Sequence, residues 1–458
     1  MGFDAELAAI RFGTGLSPRI AAPRSAEEML SSLTGPDKAA NAFPIPSFAS
    51  QTAAFNEMRE LRKYYRQNQT DADAKKAVRR AYRELRQQGA HATAQVLRRR
   101  AQTEDGFRER LTAFWADHFT AVAPDKRLRP AQTHYVEEAI RPHVAGNFSE
   151  MLRAATTHPM MLLFLNQNAS MGENSRAAKN RKGKQGLNEN LARELLELHT
   201  LGVGANYTQT DVRQLAELLT GLSFDRDFIF MFKMNFTEPG AETVLSRSYG
   251  GGTPRIEDIH AALDDLARHP ATARHIAGKL AMHFTGDTPD PGLVSAMEAA
   301  YLRSDGHLPD VYATLLDHPA AWSPELTNVK QPIDFMGSTL RALDISAKYV
   351  PSGNLKKMRE FFLLPLELMG QNWATQLGPD GWPEEDDIWI TPQRLAARMQ
   401  WAMITPFRIL GALPDPREFV EVALGRYANE TVRFAARAAE TRPEGVGIVL
   451  ASPAFQRM

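Results

Sequence analysis

From residue 52 to residue 122 the chain is built almost without interruption from helix formers, and this stretch restricts the fold more than any other. Glu57 to Arg66 and Ala74 to Gln88 are rich in Arg, Lys, Glu, Gln and Ala, residues that lose little freedom in a helix. Phe107, Leu111, Phe114, Trp115, His118, Phe119 and Val122 follow at spacings of three and four, which is one apolar helix face. Further helices are expected over 133–140, 149–155 and 187–201, and from Thr208 to about 219. Thr208 and Asp211 stand at capping-box spacing at the start of the last of these. Helical patterns return over 256–267, 270–284, 291–303, 308–317, 331–343, 354–369, 392–403 and 415–440. One stretch breaks the rule: Phe228 to Phe236 is β-prone, Thr237-Glu238-Pro239-Gly240 is turn chemistry, and Thr243-Val244-Leu245 follows. The expectation is a mostly α, multi-helix globular protein with a small β-hairpin inserted at about 226–249. It divides into an irregular segment and basic helical arm (1–105), a central helical domain carrying the hairpin (106–320) and a C-terminal helical subdomain packed on the centre (321–458).

A chain of 458 residues with 43% hydrophobic content can bury a large core without covalent staples. It contains no cysteine, so disulfides, thiolate catalysis and thiolate-held metals are excluded. Lys and Arg total 54, as do Asp and Glu, and the resulting neutrality argues against general nucleic-acid or anionic-membrane binding. No apolar run is long enough for a membrane span, and no signal peptide is visible at the start, so the expected compartment is the cytoplasm. Charge is nevertheless uneven. Between Arg59 and Arg110 there are 15 basic residues against 7 acidic ones, which reads either as a solvated helical arm or as a patch for an acidic partner. Residues 166–186 are rich in Asn, Ser, Gly and Lys and predict a surface loop. The two glycines of Arg11-Phe12-Gly13-Thr14-Gly15 read as a structural turn, because no apolar strand precedes them as in a phosphate cradle.

Chemistry is most concentrated on 187–201. On a helical wheel Leu187, Leu191, Leu195 and Leu198 define the buried arc and Glu194 falls inside it. An ionised carboxylate there is costly unless paired, hydrogen-bonded or metal-bound. Asn188 and His199 flank the arc and Asn190 lies one turn before Glu194, while Glu189, Arg193 and Glu197 project outward as i,i+4 ion pairs. His118 lies mid-face on its own helix, where a buried imidazole must satisfy two nitrogens. Two readings stay open: a core polar network with Arg141 or Arg193 as partner to Glu194, or a site assembled across helices. In the second, His118, Glu194 and His199 are catalytic candidates. Asn188, Asn190, His143 and Arg193 bind ligand, and His118 with Glu194 would hold a divalent metal. His275, Lys279 and His283 recur at intervals of four, with the lysine set against metal binding. Residues 379–389 hold five carboxylates near two tryptophans, a solvated acidic loop or a cation or sugar platform.

The block Gly186 to Val203, followed by Tyr207-Thr208-Gln209-Thr210-Asp211-Val212 and Leu219-Thr220-Gly221, resembles the signature of the bacterial "domain of unknown function 1800" family. Arg11-Phe12-Gly13-x-Gly15, Phe114-Trp115-x-x-His118-Phe119, Arg141-Pro142-His143, His158-Pro159, His269 to Leu280, Lys330-x-Pro332 and Gly381-Trp382-Pro383 support it, in the family's order over nearly the whole chain. The resemblance implies a largely helical protein. It also implies that many relatives are exported and commonly encoded beside a sulfatase/phosphatase-like protein, for which this chain would be a non-catalytic partner or maturation factor. Asn166 stands where many relatives carry Asp. The family coincides with the choice of His118, Glu194 and His199 but assigns them no reaction.

Overall fold

The computed structural model describes residues 2–179 and 186–458. The basic region of the sequence forms three helices, Phe48–Gln67, Ala72–Gln102 and Gly106–His118. Asp71 and Asp105 cap the second and third, each accepting backbone N–H groups of the first turn. The third helix stops at His118, short of Val122. The Thr208–Asp211 capping box forms as its spacing predicts, with the Asp211 carboxylate accepting from the Thr208 N–H at 2.8 Å.

The chain is mostly α, and its strand content differs in detail from the expected single hairpin. Leu222–Phe224 pairs with Phe230–Phe232, and Ala241–Val244 pairs with Arg247–Gly250. The reversal falls inside the apolar run, because the Asp225 side chain accepts from the Asp227 and Ile229 N–H groups and Phe228 takes a positive φ of 62°. Thr237 to Gly240 becomes the link between the two hairpins. The second hairpin turns at Leu245-Ser246, both with positive φ (49° and 65°) as its tight two-residue turn requires. The signature helix is also shorter than 187–201: it is regular over Asn190–Glu194 and widens to a π-turn over Leu195–His199.

Two apolar cores account for the packing. The first spans residues 7–322 and includes Phe12, Phe114, Trp115 and Tyr312; the second is built from residues 333–455, including Phe335, Trp401 and Phe455. The Ala72–Gln102 helix belongs to both, giving Ala81 and Leu85 to the first and Ala90, Ala94, Leu97 and Ala101 to the second. It meets Pro332–Ala342 closely at Gly337, where a Cβ would stand 2.8 Å from the Arg100 side chain. At the N-terminus, buried Arg11 donates to the carbonyls of Ala321 (2.7 Å) and Glu325 (2.6 Å), so the turn after it is structural. Among the described residues no helix is long and apolar enough to cross a membrane.

Candidate functional site

The seam between the two cores holds a narrow cleft with a cavity volume of about 90 Å³. Gly106–His118 forms one wall. Its Leu111, Phe114 and Trp115 fill the first core, while Glu109, Thr112 and Asp117 line the cleft. The long helix contributes Arg99 and Arg100, the helix from Pro332 contributes Asp334, and the irregular segment 371–384 closes the remaining side.

Buried arginines in and beside these walls are paired. Arg99 donates to both oxygens of Glu137 (2.6 and 2.9 Å) and to the Phe43 carbonyl. Arg100 and Arg110 share Asp334, at 3.0 and 2.9 Å. Arg141 bridges Glu109 and Asp37, each at 2.6 Å by its shortest bond. Burial pushes the carboxyls of Glu109 and Asp334 up, but their arginines outweigh it and hold both below the usual range. The scaffold of the cleft is therefore charged locally and close to neutral as a whole.

Two further carboxyls, Asp117 and Glu384, lack such arginine pairing among the described residues. Burial drives the Asp117 carboxyl well above its ordinary range, and the charge of Glu384 adds to this; its hydrogen bond from the Trp382 N–H (2.8 Å) opposes the shift without reversing it. Gly381 has φ 84°, and a Cβ there would stand 2.6 Å from Asp117 Oδ2, so the turn closes directly on the carboxyl. Burial pushes Glu384 up as well, but His283 reverses the direction: its Nδ1 lies 3.0 and 3.1 Å from the two Glu384 oxygens. His283 Nε2 is buried and has no partner among the described residues. Lys279, one turn earlier on Pro270–Thr285, acts electrostatically on both carboxyls yet has no hydrogen-bonded or ion-paired partner among the described residues. Trp373 Nε1 and Gln376 Oε1, from residues in the cleft lining, are buried and unpartnered among the described residues. A carboxyl whose surroundings favour its proton, beside one whose surroundings favour its charge, is an arrangement that can supply a proton donor and a proton acceptor in the same enclosure.

None of the residues nominated from sequence as catalytic or ligand-binding lines this cleft. His118 and His199 do come together, with ring centroids 6.0 Å apart, and His275 joins them 6.1 Å from His118. His118 Nε2 donates to the His199 carbonyl (3.1 Å) and His275 Nε2 to the Leu198 carbonyl (3.0 Å). These are carbonyls at the open end of the π-turn, so both imidazoles cap the signature helix. Burial, with Lys279 nearby, keeps His118 well below the ordinary histidine range and pushes His199 down to about 3. Among the described residues His118 Nδ1 and His199 Nε2 have no partner.

Glu194 is half-buried and stands apart from the histidines. Burial, Glu197 and Asp380 raise its carboxyl, Arg193 opposes them, and among the described residues no ion pair or hydrogen bond holds it. The expected arginine partners are engaged elsewhere: Arg193 with Glu189, Glu197 and Gln209, Arg141 with Glu109 and Asp37. Asn188 Nδ2 donates to the carbonyls of Leu165 and Asn166, and its Oδ1 accepts from the Asn190 N–H (2.9 Å), so it fixes the start of the helix while Asn190 is exposed. His143 lies in the Arg141–His143 turn, where Glu150 is the charge acting on it. Of the surface loop expected over 166–186, residues 180–185 lie outside the described residues. Among the described residues no group of three or more His, Asp or Glu side chains is placed to hold a metal ion.

Sequence reasoning missed Asp117, Glu384 and the pairing of His283 with Glu384. Each lies in or beside a block that stands out in the sequence: Phe114-Trp115-x-x-His118, Gly381-Trp382-Pro383 and the His275–Lys279–His283 series. What the sequence does not display is their convergence. No curated protein and no solved structure matches the chain. A family described as "Protein of unknown function (DUF1800)" matches residues 8–457, nearly the whole chain. The chain belongs to the DUF1800 family.

Proposed function

We propose that this chain is an enzyme that moves protons on a neutral, polar small molecule bound in the cleft between its two cores. Asp117 is the acid and Glu384, oriented by His283, is the base. The observation that carries this reading is the asymmetry of the two carboxyls. Asp117 meets a backbone N–H and a low-dielectric wall, whereas Glu384 meets an imidazole on both oxygens. Environments that push two neighbouring carboxyls apart are how acid and base roles are assigned at neutral pH. The paired arginines of the walls leave no excess charge to attract an ionic substrate, and Trp373 Nε1 with Gln376 Oε1 offers a donor and an acceptor. In this reading His118 and His199 are positioning residues that hold the signature helix. The alternative role, as a non-catalytic partner of a co-encoded sulfatase/phosphatase-like protein, would use the surface and not the cleft.

The test is a thermal-stabilisation screen with neutral hydroxylated, amide and ester compounds, followed by assays for conversion of every compound that binds. Binding that requires an intact cleft, with turnover lost in both Asp117→Asn and Glu384→Gln, is expected. Turnover that survives in both folded variants would contradict the assignment.

A further inference from the structure

Part of the basic excess of the helical arm faces one groove. Arg79, Arg83 and Arg86 follow one another at intervals of four and three on Ala72–Gln102, so they share a face. Opposite them, across a groove bottomed by Tyr82 and Leu355 and edged by Leu364, stand Lys356 and Arg359. All five cations are exposed, and among the described residues none has a carboxylate within ion-pair distance. The contrast with their neighbours is direct. Arg80, next to Arg79 on the same helix but outside the groove lining, is paired with Glu84, and Glu360, the one acid lining the groove, is paired with Arg408 at 2.5 Å. Five like charges left together around an apolar floor repel one another, in a chain whose net charge is zero and whose buried arginines are carefully matched.

We infer that this groove docks an acidic segment of a partner protein, one in which Asp or Glu side chains alternate with apolar ones. The acids would meet the five cations, and the apolar side chains would cover Tyr82, Leu355 and Leu364, with exposed Leu368 one turn beyond. The shape favours this class over other polyanions. A nucleic acid needs aromatic platforms or a phosphate-spaced track, and the floor offers one tyrosine beside aliphatic side chains. A bilayer is flat on this scale and cannot reach a floor that lies between two helices. The proposal is independent of the chemistry assigned to the cleft, since the groove and the cleft have no lining residue in common.

The experiment uses the full chain and a fluorescein-labelled peptide of repeated Glu-Glu-Leu-Leu, read by polarisation across a salt series. Oligouridylate and phosphatidylserine vesicles are the comparison probes. Arg79→Glu combined with Arg83→Glu alters the groove, and Lys75→Glu combined with Lys76→Glu alters the same net charge on the same helix outside the groove. Peptide binding that weakens with salt and falls at least about tenfold in the groove variant, but much less in the control variant, is the expected result. An equal loss in both variants, no peptide binding, or tighter binding of oligouridylate or vesicles would overturn it.

Discussion

The backbone N–H of Trp382 donates to Asp117 Oδ1 at 2.8 Å, joining two residues 265 positions apart in the chain. The bond fastens the segment that closes the cleft to the helix that forms its wall. It also gives Asp117 one neutral hydrogen bond where the other cleft carboxylates have cations. An asparagine at this position keeps the acceptor and resembles the protonated acid. Asp117→Asn is therefore expected to change unfolding free energy by less than about 1 kcal/mol, whereas Asp117→Ala, which strands the Trp382 N–H, costs roughly 1–3 kcal/mol. Urea denaturation of the two variants separates these values.

Gly381 is the hinge of that closure. Its φ of 84° is unfavourable for any residue with a Cβ, and the added carbon would stand 2.6 Å from the Asp117 carboxylate. Gly381→Ala is expected to cost about 1–3 kcal/mol through backbone strain and displacement of the turn. It should also abolish ligand-induced stabilisation, although the side chains of Asp117 and Glu384 are unchanged. Wild-type stability in this variant, measured by denaturant titration, would show that the turn is free to move.

The wall of the cleft depends on Asp334, because Arg100 and Arg110 both rest on it. Removing one member of a buried ion network leaves uncompensated charge, at roughly 3–5 kcal/mol. Asp334→Ala should lose about that much stability. Arg100→Met, which leaves Asp334 its second arginine, should lose less. The order of the two midpoints in denaturant is the check.

His118 and His199 make the fold sensitive to mild acid. Both have folded-state values depressed by burial, His199 to about 3. Above the unfolded value of about 6.5 neither state binds the proton. As pH falls below it, the unfolded chain takes up protons that the folded one refuses, so stability is lost at roughly 1.4 kcal/mol per pH unit for each histidine. Unfolding free energies between about pH 6.5 and about 4.5 should show a slope that His199→Gln reduces. An unchanged slope in that variant would place the acid sensitivity elsewhere.

Much of the architecture is legible in the sequence because it is local. The spacing of Phe107, Leu111, Phe114 and Trp115 marks a helix face, and Thr208 with Asp211 announces a capping box that forms as written. The two hairpins are less legible, since the reversal at Phe228 rests on side-chain bonds of Asp225 inside an apolar run. Of the site, His118 and His199 can be picked out as buried polar residues at the helix crossing. Their role as caps depends on the π-turn at Leu195–His199, which no spacing rule signals. Asp117 is hidden for a different reason. It faces the seam between two cores, and the partners that set its chemistry, Trp382 and Glu384, lie beyond a second core that the sequence cannot dock against the first.

An acid role for Asp117 and a base role for Glu384 require Asp117 protonated and Glu384 ionised at neutral pH, and infrared difference spectroscopy of wild type against Asp117→Asn reads the first of these directly. Because the folded-state value of Asp117 is raised, its proton should stay on as pH rises through the ordinary carboxyl range near 4. The account predicts a protonated-carboxyl carbonyl band in wild type at neutral pH that is absent from Asp117→Asn and unaffected by loss of the amide-matched Glu384→Gln side chain's charge beyond a shift in its titration to lower pH. A carboxylate signature for Asp117 at neutral pH, with no such band, would contradict the central claim.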